Sequence, residues 1–150
     1  MQVLFVCTGN TCRSCMAESI FNSVSNLDNV KAISAGIAVV PGSKTSKNTS
    51  LLIKENFSID LSDRYSVQLK EEMLKECDLI LTMTSYIKDI LVERFQQHKE
   101  KIYTLSEYVN FKEDIIDPYG GDLEVYRDTF DILKEAICLL LNKIKEDNGI

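Results

Sequence analysis

The sequence predicts an α/β fold, a three-layer sandwich in which a four-stranded parallel sheet is flanked by helices. Short uninterrupted apolar runs occur four times in the 150 residues, and such runs are typical of strands buried on both faces. Between the runs, apolar residues recur every three or four positions, which is the spacing of amphipathic helices. Strands that alternate with helices pair in parallel through right-handed crossovers, so helices cover both faces of the sheet.

Each element in the first half of the chain has a local signal. The strand at 2–7 (QVLFVC) is apolar almost throughout, and apolar residues at helical spacing predict a helix from near Ser14. The second strand, at 30–34 (VKAIS), is closed by an Ala-Gly pair. A loop rich in Pro, Gly, Ser and Thr at 41–50 precedes a helix near 49–56.

The second half repeats the alternation. A short helix around 69–77 leads into the third strand at 78–83 (DLILTM), and an amphipathic helix follows that strand. The fourth strand is at 101–105 (KIYTL). The last helix starts after Asp122 and carries apolar residues on a rhythm of three and four.

Length and charge limit the classes of function. The chain is long enough for one domain, which we place at 1–150. Its net charge is −6 with scattered lysines, which argues against a nucleic-acid surface. No apolar run approaches the ~18 residues of a membrane span, and the first residues lack the basic flank of a signal peptide. We therefore expect a cytoplasmic monomer without nucleic-acid or membrane partners.

The five cysteines do not suggest a disulfide framework, because their number is odd. Cys7, Cys12 and Cys15 lie within nine residues. Cys77 and Cys138 lie in helix-like segments, where we expect them to be small buried hydrophobic residues.

The loop CTGNTCRS (7–14) is the main candidate site, since ligands of parallel sheets bind beyond the carboxyl ends of strands. A tight turn into a helix N-terminus directs several backbone N–H groups at one point. Gly9 and Asn10 tolerate the positive φ that a curled anion-binding loop requires. Arg13 adds a cation with bidentate geometry suited to phosphate.

A cysteine on the floor of such a loop is a candidate nucleophile. The helix N-terminus and a nearby cation favour the thiolate, which is the reactive form, so Cys7 would attack the anion that the loop holds. Ser14 could donate a hydrogen bond to the sulfur of Cys7. It could equally be the N-cap of the following helix.

An iron–sulfur site is a rival interpretation of the same cysteines. Cys7, Cys12 and Cys15 have the C-x4-C-x2-C spacing of plant-type iron–sulfur proteins. The fourth ligand would have to be Cys77, 62 residues further on a helix. That context does not favour a cluster, and we predict neither a metal nor a cofactor.

The segment VCTGNTCRS at the end of the first strand resembles the active-site loop of the low-molecular-weight phosphotyrosine phosphatase family. SAG (34–36), LTMT (81–84) and DPYGG (117–121) match further segments of that family, so the resemblance covers essentially the whole chain. It implies the family's four-stranded parallel fold, no metal, and phosphorylated proteins as substrates.

The resemblance also implies roles for individual residues. Cys7 would be the nucleophile, Arg13 the phosphate clamp and Asp117 the general acid. Asn10 and Ser34 would brace the loop. The remaining loop residues expected to contact substrate are Thr8, Gly9, Asn10, Thr11, Cys12 and Ser14.

The assignment of Asp117 depends on the resemblance, because Asp-Pro before Tyr-Gly-Gly is by itself an ordinary turn. A phosphoester or phosphoramidate leaving group needs a proton. The single histidine, His98, lies in the charged stretch QQHKEK and reads as solvated. A carboxyl group from a distant loop is then the natural acid, and Tyr119 beside it could form one wall of the cleft.

Thr11 favours one branch of the family. Bacterial protein arginine phosphatases have Thr within CTGNTCRS, where phosphotyrosine enzymes commonly have Ile. We therefore expect phosphoarginine as the substrate and phosphotyrosine as the alternative. An arsenate reductase would need two further cysteines on a helix after the third strand, and residues 84–98 contain none. A phosphopeptide-binding module would keep Arg13 but would not need Cys7 and Asp117 together.

One position departs from the family pattern. Most members have Pro after CRS, and this chain has Cys15. Cys12 is close enough in sequence to form a reversible disulfide with an oxidised Cys7. Cys15 could compete for that role.

Overall fold

The computed structural model describes residues 1–149 and confirms the expected fold class. Within these residues four strands form one parallel sheet in the order β2-β1-β3-β4. The strands are β1 (Gln2–Cys7), β2 (Lys31–Gly36), β3 (Leu79–Thr82) and β4 (Ile102–Thr104). The helices are α1 (Arg13–Val24), α2 (Lys47–Phe57), α3 (Glu71–Glu76), α4 (Ser85–Arg94), α5 (Leu105–Val109) and α6 (Leu123–Asp147).

Strand β1 lies in the middle of the sheet and fixes the position of the candidate loop. Its register aligns Phe5 with Ser34 of β2 and with Leu81 of β3. Phe5 is fully buried and meets Phe21 of α1 edge to face, with ring centroids 6.0 Å apart. The apolar run of β1 therefore anchors both the sheet and the first helix.

The sheet order places a topological switch beside the end of β1. The chain leaves β1 for β2 on one side and then crosses to β3 on the other. The loops that follow β1 and β3 therefore diverge and leave a crevice above the strand ends, which is where ligands of such sheets bind.

Several boundaries differ from the sequence-based expectations. β2 continues through Ala35 and Gly36, which were expected to close it, because both residues pair with the end of β1. Helix α2 starts earlier than expected, at Lys47, because the Ser46 hydroxyl accepts a hydrogen bond from Thr49 N–H and caps it.

Helix α5 was missed altogether. Thr104 and Glu107 form a reciprocal capping box at its start, and the T-x-x-E pattern that encodes it is present in the sequence. The six-residue 3-10 segment Gln96–Lys101 was also missed. These polar residues carry no apolar periodicity, so the pattern gave no signal for a helix.

Two side chains are not where the sequence suggested. Cys77 is buried as expected, but Cys138 is exposed on α6. The apolar spacing of α6 puts Ile137 and Leu140 toward the core instead. His98 is half-buried rather than solvated, and its Nε2 atom has no hydrogen-bond partner within residues 1–149. No helix in the described part of the chain is long and apolar enough to cross a membrane.

Candidate active site

The loop between β1 and α1 wraps around the sulfur of Cys7. The Sγ atom lies 2.8 Å from the Ser14 hydroxyl oxygen and accepts a 3.2 Å hydrogen bond from the Asn10 N–H. The Ser14 oxygen itself accepts a 2.7 Å hydrogen bond from the Asn10 side-chain amide. The hydroxyl proton of Ser14 is therefore free to point at Cys7, and two donors converge on the sulfur.

Ser14 is not the N-cap of α1. The cap position is Cys12, which makes no capping hydrogen bond through its side chain. Ser14 lies in the first turn of the helix with its hydroxyl on the sulfur, and it is fully buried. Of its two interpretations from the sequence, the geometry matches the hydrogen bond to the Cys7 sulfur.

Asn10 holds the loop in its curled shape. Its φ of 57° lies in the left-handed region, which asparagine tolerates better than most residues. Its side-chain NH2 group donates to Ser14 and, at 3.0 Å, to Ser34. Its Oδ1 atom accepts a 2.9 Å bond from Val67 N–H. One buried amide thus links the loop to α1, to β2 and to the segment before α3.

A charged pair supports Asn10 from behind. The Ser34 hydroxyl donates to Glu18 Oε1 at 2.8 Å and accepts from Arg64 Nη2 at 2.9 Å. Arg64 Nη2 also lies 3.6 Å from Glu18 Oε1. The single proton of the Ser34 hydroxyl is therefore used on Glu18, so its oxygen can only accept from Asn10. This requires the Asn10 amide to turn its NH2 group, and not its oxygen, toward Ser34.

Two glycines give the loop room. A Cβ atom on Gly36 would lie 2.6 Å from the Thr8 carbonyl oxygen and 2.9 Å from the carbonyl carbon of Gly9. Of Gly9 and Asn10, the two residues named as tolerant of positive φ, only Asn10 adopts it within residues 1–149. A Cβ on Gly9 would meet only Thr11 Oγ1, at 4.0 Å, so its missing side chain leaves the cleft open.

Arg13 and Asp117 meet above the loop. Arg13 is 5% exposed, and its Nη1 donates to the Ile115 carbonyl at 3.0 Å. Its Nη2 lies 3.6 Å from Asp117 Oδ2. The Ile115 N–H bonds to the Met83 carbonyl at 3.0 Å, so the segment that carries Asp117 is tied to the end of β3.

Asp117 is half-exposed and has one committed oxygen. Its Oδ1 atom accepts a 3.1 Å bond from the Tyr119 N–H. This Asx-type turn fixes the carboxyl group and leaves Oδ2 facing the guanidinium of Arg13.

These residues line one cleft of about 470 Å³. Its floor contains Cys7 and Arg13, and its rim contains the exposed side chains of Val40 and Tyr119. Of the expected substrate-contacting residues, those that line the cleft are Thr8, Gly9, Thr11, Cys12 and Tyr119. Asn10 and Ser14 are buried beneath it.

The three clustered sulfurs point to different partners. Cys12 Sγ lies 3.4 Å from the Tyr126 hydroxyl and 3.5 Å from that of Ser46. Cys15 Sγ donates to the Cys12 carbonyl at 3.3 Å from inside α1. With Cys7 bonded to the loop, the sulfurs do not converge as the iron–sulfur interpretation requires. No group of three or more His, Cys, Asp or Glu in residues 1–149 could hold a metal ion.

Burial keeps two groups near the loop protonated, the Cys15 thiol and the Tyr126 hydroxyl. Desolvation raises the pKa of Cys15 strongly, so its sulfur stays a neutral thiol at any physiological pH. Desolvation also raises the pKa of Tyr126 to about 12, with the hydrogen bond to Cys12 adding to the effect. The Tyr126 hydroxyl is therefore protonated and available as a donor to Cys12.

The sequence did not reveal the residues that support the loop from outside it. Glu18 could have been found, since it lies one helical turn after Ser14 and so on the same face of α1. Arg64 had no signal of spacing or composition. It reaches Ser34 only because residues 43–45 and 64–66 pair, as in the bridge between Lys44 and Tyr65.

Comparison with known proteins adds an independent finding. The family model described as low molecular weight phosphotyrosine protein phosphatase matches residues 2–149. A protein-arginine-phosphatase of Bacillus subtilis (strain 168) is 36% identical over 151 residues and covers 98% of this chain and 99% of its own. The low molecular weight protein-tyrosine-phosphatase PtpB of Staphylococcus haemolyticus is 36% identical over 148 residues, with 99% and 100% covered. A solved structure of a YwlE arginine phosphatase mutant with a phosphorylated active-site serine is 37% identical, covers 98% and 97%, and gives a TM-score of 0.91.

Replacing Ser34→Ala should loosen the loop. The change removes the acceptor of one Asn10 N–H and should lower the free energy of unfolding by about 1–3 kcal/mol, the usual result of orphaning a buried donor. It should also slow alkylation of Cys7 by iodoacetate near pH 6, because the loop would stabilise the thiolate less well. Denaturant titration and timed mass spectrometry measure the two effects.

Ser19→Ala is the matched control for this variant. Ser19 is also a buried serine, on α1, but it takes no part in the Asn10 network. An alkylation rate in Ser34→Ala equal to that of Ser19→Ala would contradict the supporting role of Ser34.

Mild peroxide should join Cys7 to Cys12 and leave Cys15 reduced. Cys15 is 1% exposed and held as a thiol, whereas Cys12 lines the cleft. Peptide mapping should show a disulfide between Cys7 and Cys12 that thiol reductants reverse, that is absent in Cys12→Ser and that persists in Cys15→Ala. A disulfide lost in Cys15→Ala would overturn the assignment.

Proposed function

Because the chain belongs to the low molecular weight phosphotyrosine protein phosphatase family, we propose that it is a cysteine-dependent protein phosphatase that hydrolyses phosphoarginine in proteins. The observation that carries the proposal is one cleft in which Cys7, Arg13 and Asp117 face the same space. A nucleophile, an anion clamp and an acid are the three groups that such a hydrolysis needs.

In the first step the Cys7 thiolate attacks phosphorus in line with the departing group. A sulfur–phosphorus bond forms while the bond from phosphorus to the arginine nitrogen breaks. Asp117 gives its proton to that nitrogen, so arginine leaves with its ordinary charge. Ser14 and the Asn10 N–H, which hold the sulfur at 2.8 and 3.2 Å, favour the thiolate before attack and stabilise it as a leaving group afterwards.

In the second step water hydrolyses the phosphocysteine. Asp117, now a carboxylate, takes a proton from the water as it attacks phosphorus, and the Cys7 thiolate departs with inorganic phosphate as the product. The phosphorylated active-site serine of the related YwlE mutant occupies the place of such an intermediate in that protein. Throughout, charge on the equatorial oxygens is held by Arg13 and the loop N–H groups.

Arg13 is positioned for this task before substrate binds. Its bond to the Ile115 carbonyl uses one of its five N–H groups, and its contact with Asp117 is a loose 3.6 Å pair. The side chain is thereby held over the loop while further donors stay available to the phosphate. When Asp117 moves away from Arg13, its carboxyl group can reach the nitrogen of the leaving group and protonate it.

Two features favour phosphoarginine over phosphotyrosine. Thr11 lines the cleft, and its hydroxyl offers a polar contact to the reacting nitrogen where an isoleucine would offer only apolar surface to a phenol ring. Once it has given up its proton, the Asp117 carboxylate can pair with the departing guanidinium, which a phenol cannot match. Relatives carry both specificities in their names, protein-arginine-phosphatase at 36–41% identity and protein-tyrosine-phosphatase at 36–39%. Phosphotyrosine is therefore the second candidate.

The setting of the enzyme is also part of the proposal. We propose a single phosphatase domain that acts as a monomer on phosphorylated proteins in the cytoplasm. Reducing conditions there keep Cys7 from being oxidised to a disulfide. The net charge of −6 supports a protein rather than a nucleic-acid partner.

A pair of peptides that differ only in phosphoarginine or phosphotyrosine tests the substrate assignment. We expect kcat/KM to be at least about ten-fold higher for phosphoarginine, because small differences in a tight pocket commonly give such ratios. Phosphate release should disappear in Cys7→Ser and persist in Cys138→Ser, whose exposed thiol lies outside the cleft. Faster turnover of the tyrosine peptide would reverse the assignment.

Thr11→Ile should move the preference toward phosphotyrosine. The substitution removes the hydroxyl and adds apolar surface that suits a ring, so we expect the ratio of the two kcat/KM values to shift by about ten-fold. Thr8→Val is the control, because it also removes a threonine hydroxyl from an exposed residue that lines the cleft. An unchanged ratio would show that Thr11 does not choose the substrate.

A further inference from the structure

A second concave surface lies beside the catalytic cleft. This basic groove has a volume of about 440 Å³ and is formed by one face of α2 and the chain on either side of it. Lys47, Ser50, Leu51 and Lys54 follow one another at the spacing of a single helical face. The remaining lining residues are Lys44, Thr45, Asp60 and Ser62.

The charge of the groove is opposite to that of the protein. Three lysines line it in a chain whose net charge is −6. Two carboxylates reduce the positive charge of these lysines. Asp60 lies in the groove with Oδ1 bonded to Ser62, and Asp63 Oδ1 lies 3.5 Å from Lys44 Nζ. Lys47 and Lys54 make no salt bridge within residues 1–149, and although the charge of Lys54 acts on the nearby Asp60, neither ammonium group is held by a direct carboxylate contact.

The groove and the cleft are separated by the width of one short segment. Ser43 lines the cleft, and the next residue, Lys44, lines the groove. Ser46, two residues on, donates its N–H to the Thr11 carbonyl at 2.9 Å. A ligand that fills the cleft therefore has the groove within reach of its own flanking chain.

We propose that the basic groove binds an acidic segment of the protein substrate, a few residues from the phosphorylated side chain. This inference rests on the proposed phosphatase function and adds a second point of substrate recognition to it. The carboxylates of Asp or Glu in the substrate would lie between Lys47 and Lys54, and Leu51 would pack against their methylene groups. Such contacts would select proteins by local sequence, whereas the cleft selects the phosphate.

The distance limits where the acidic residues fall. An extended chain advances roughly 3.3–3.6 Å per residue, so Ser43 and Lys47, four residues apart, can be separated by at most roughly 13–14 Å. Acidic side chains two to five residues from the phosphosite are therefore the ones expected to reach the groove. Exposed ion pairs of this kind are weak singly and are weakened further by salt.

Two peptide pairs test the proposal with the intact protein. In each pair one peptide has Glu at the second to fifth positions on both sides of the phosphosite, and the other has Gln there. One pair carries phosphoarginine and the other phosphotyrosine. We expect the Glu peptide to have a kcat/KM about three- to ten-fold higher, mostly through a lower KM, and the ratio to approach one at 1 M salt.

The double variant Lys47→Gln, Lys54→Gln should abolish this ratio and leave hydrolysis of p-nitrophenyl phosphate, which has no flanking chain, unchanged. Lys99→Gln, Lys145→Gln makes the same change in charge at exposed positions outside the groove and should keep the ratio. Equal rates for Glu and Gln peptides in the wild type, or a ratio that survives in the groove variant, would overturn the proposal. So would an equal loss in the control variant, which would indicate an effect of net charge alone.

The design separates this proposal from the assignment of the substrate. The preference for arginine or tyrosine is read between the two pairs, and the effect of the groove is read within each pair. If neither pair is turned over, the phosphatase proposal fails, and binding of the Glu and Gln peptides to Cys7→Ser decides the groove separately. Equal affinities would then overturn it.

Discussion

The site depends on one buried amide. Asn10 takes up a left-handed backbone conformation and at the same time forms three hydrogen bonds through its side chain, to Ser14, Ser34 and Val67. A glycine could adopt that conformation but could form none of these bonds. Because the amide is fully buried, each unmade bond would carry the desolvation cost of an orphaned polar group. The curvature of the loop and the orientation of the Ser14 proton follow from this residue.

The rest of the machinery comes from segments far apart in the chain. The carboxyl ends of the parallel strands collect the loop after β1, part of the connection after β2 and the segment around Asp117 at one edge of the sheet. Ile115 is the joint in this arrangement, since its N–H bonds to Met83 and its carbonyl receives Arg13. One residue thus fixes the cation and also the segment that carries the acid two positions later, without a rigid helix under Asp117.

The sequence alone was sufficient for the architecture and for the centre of the site. Apolar runs and helical spacing predicted the four strands and the long helices. A strand buried on both faces is apolar without interruption, and a helix buried on one face has an apolar residue every three or four positions. The CTGNTCRS loop identified Cys7 and Arg13, because both residues lie in one continuous segment of the sequence. The resemblance to the family supplied Asp117 and Ser34.

What the sequence could not supply was contact between distant segments. Arg64 and the basic groove depend on the pairing of residues 43–45 with 64–66, which has no periodic signature. Cys138 was misplaced because its residue type suggested burial, whereas the apolar spacing of α6 buries Ile137 and Leu140 and leaves position 138 off that face. Gly9 and Asn10 were both named as tolerant of positive φ, and the sequence could not tell that only Asn10 of the two adopts it.

Gly36 has a consequence beyond packing. With the Thr8 carbonyl 2.6 Å from where its side chain would begin, this strand end is pressed directly onto the main chain of the neighbouring loop. The loop is therefore held from below, by the main chain of β2 and by the buried Asn10 amide, and the side chains on the rim of the cleft take no part in holding it. We expect exchanges of rim residues to change selectivity while leaving the shape of the loop beneath them unaltered.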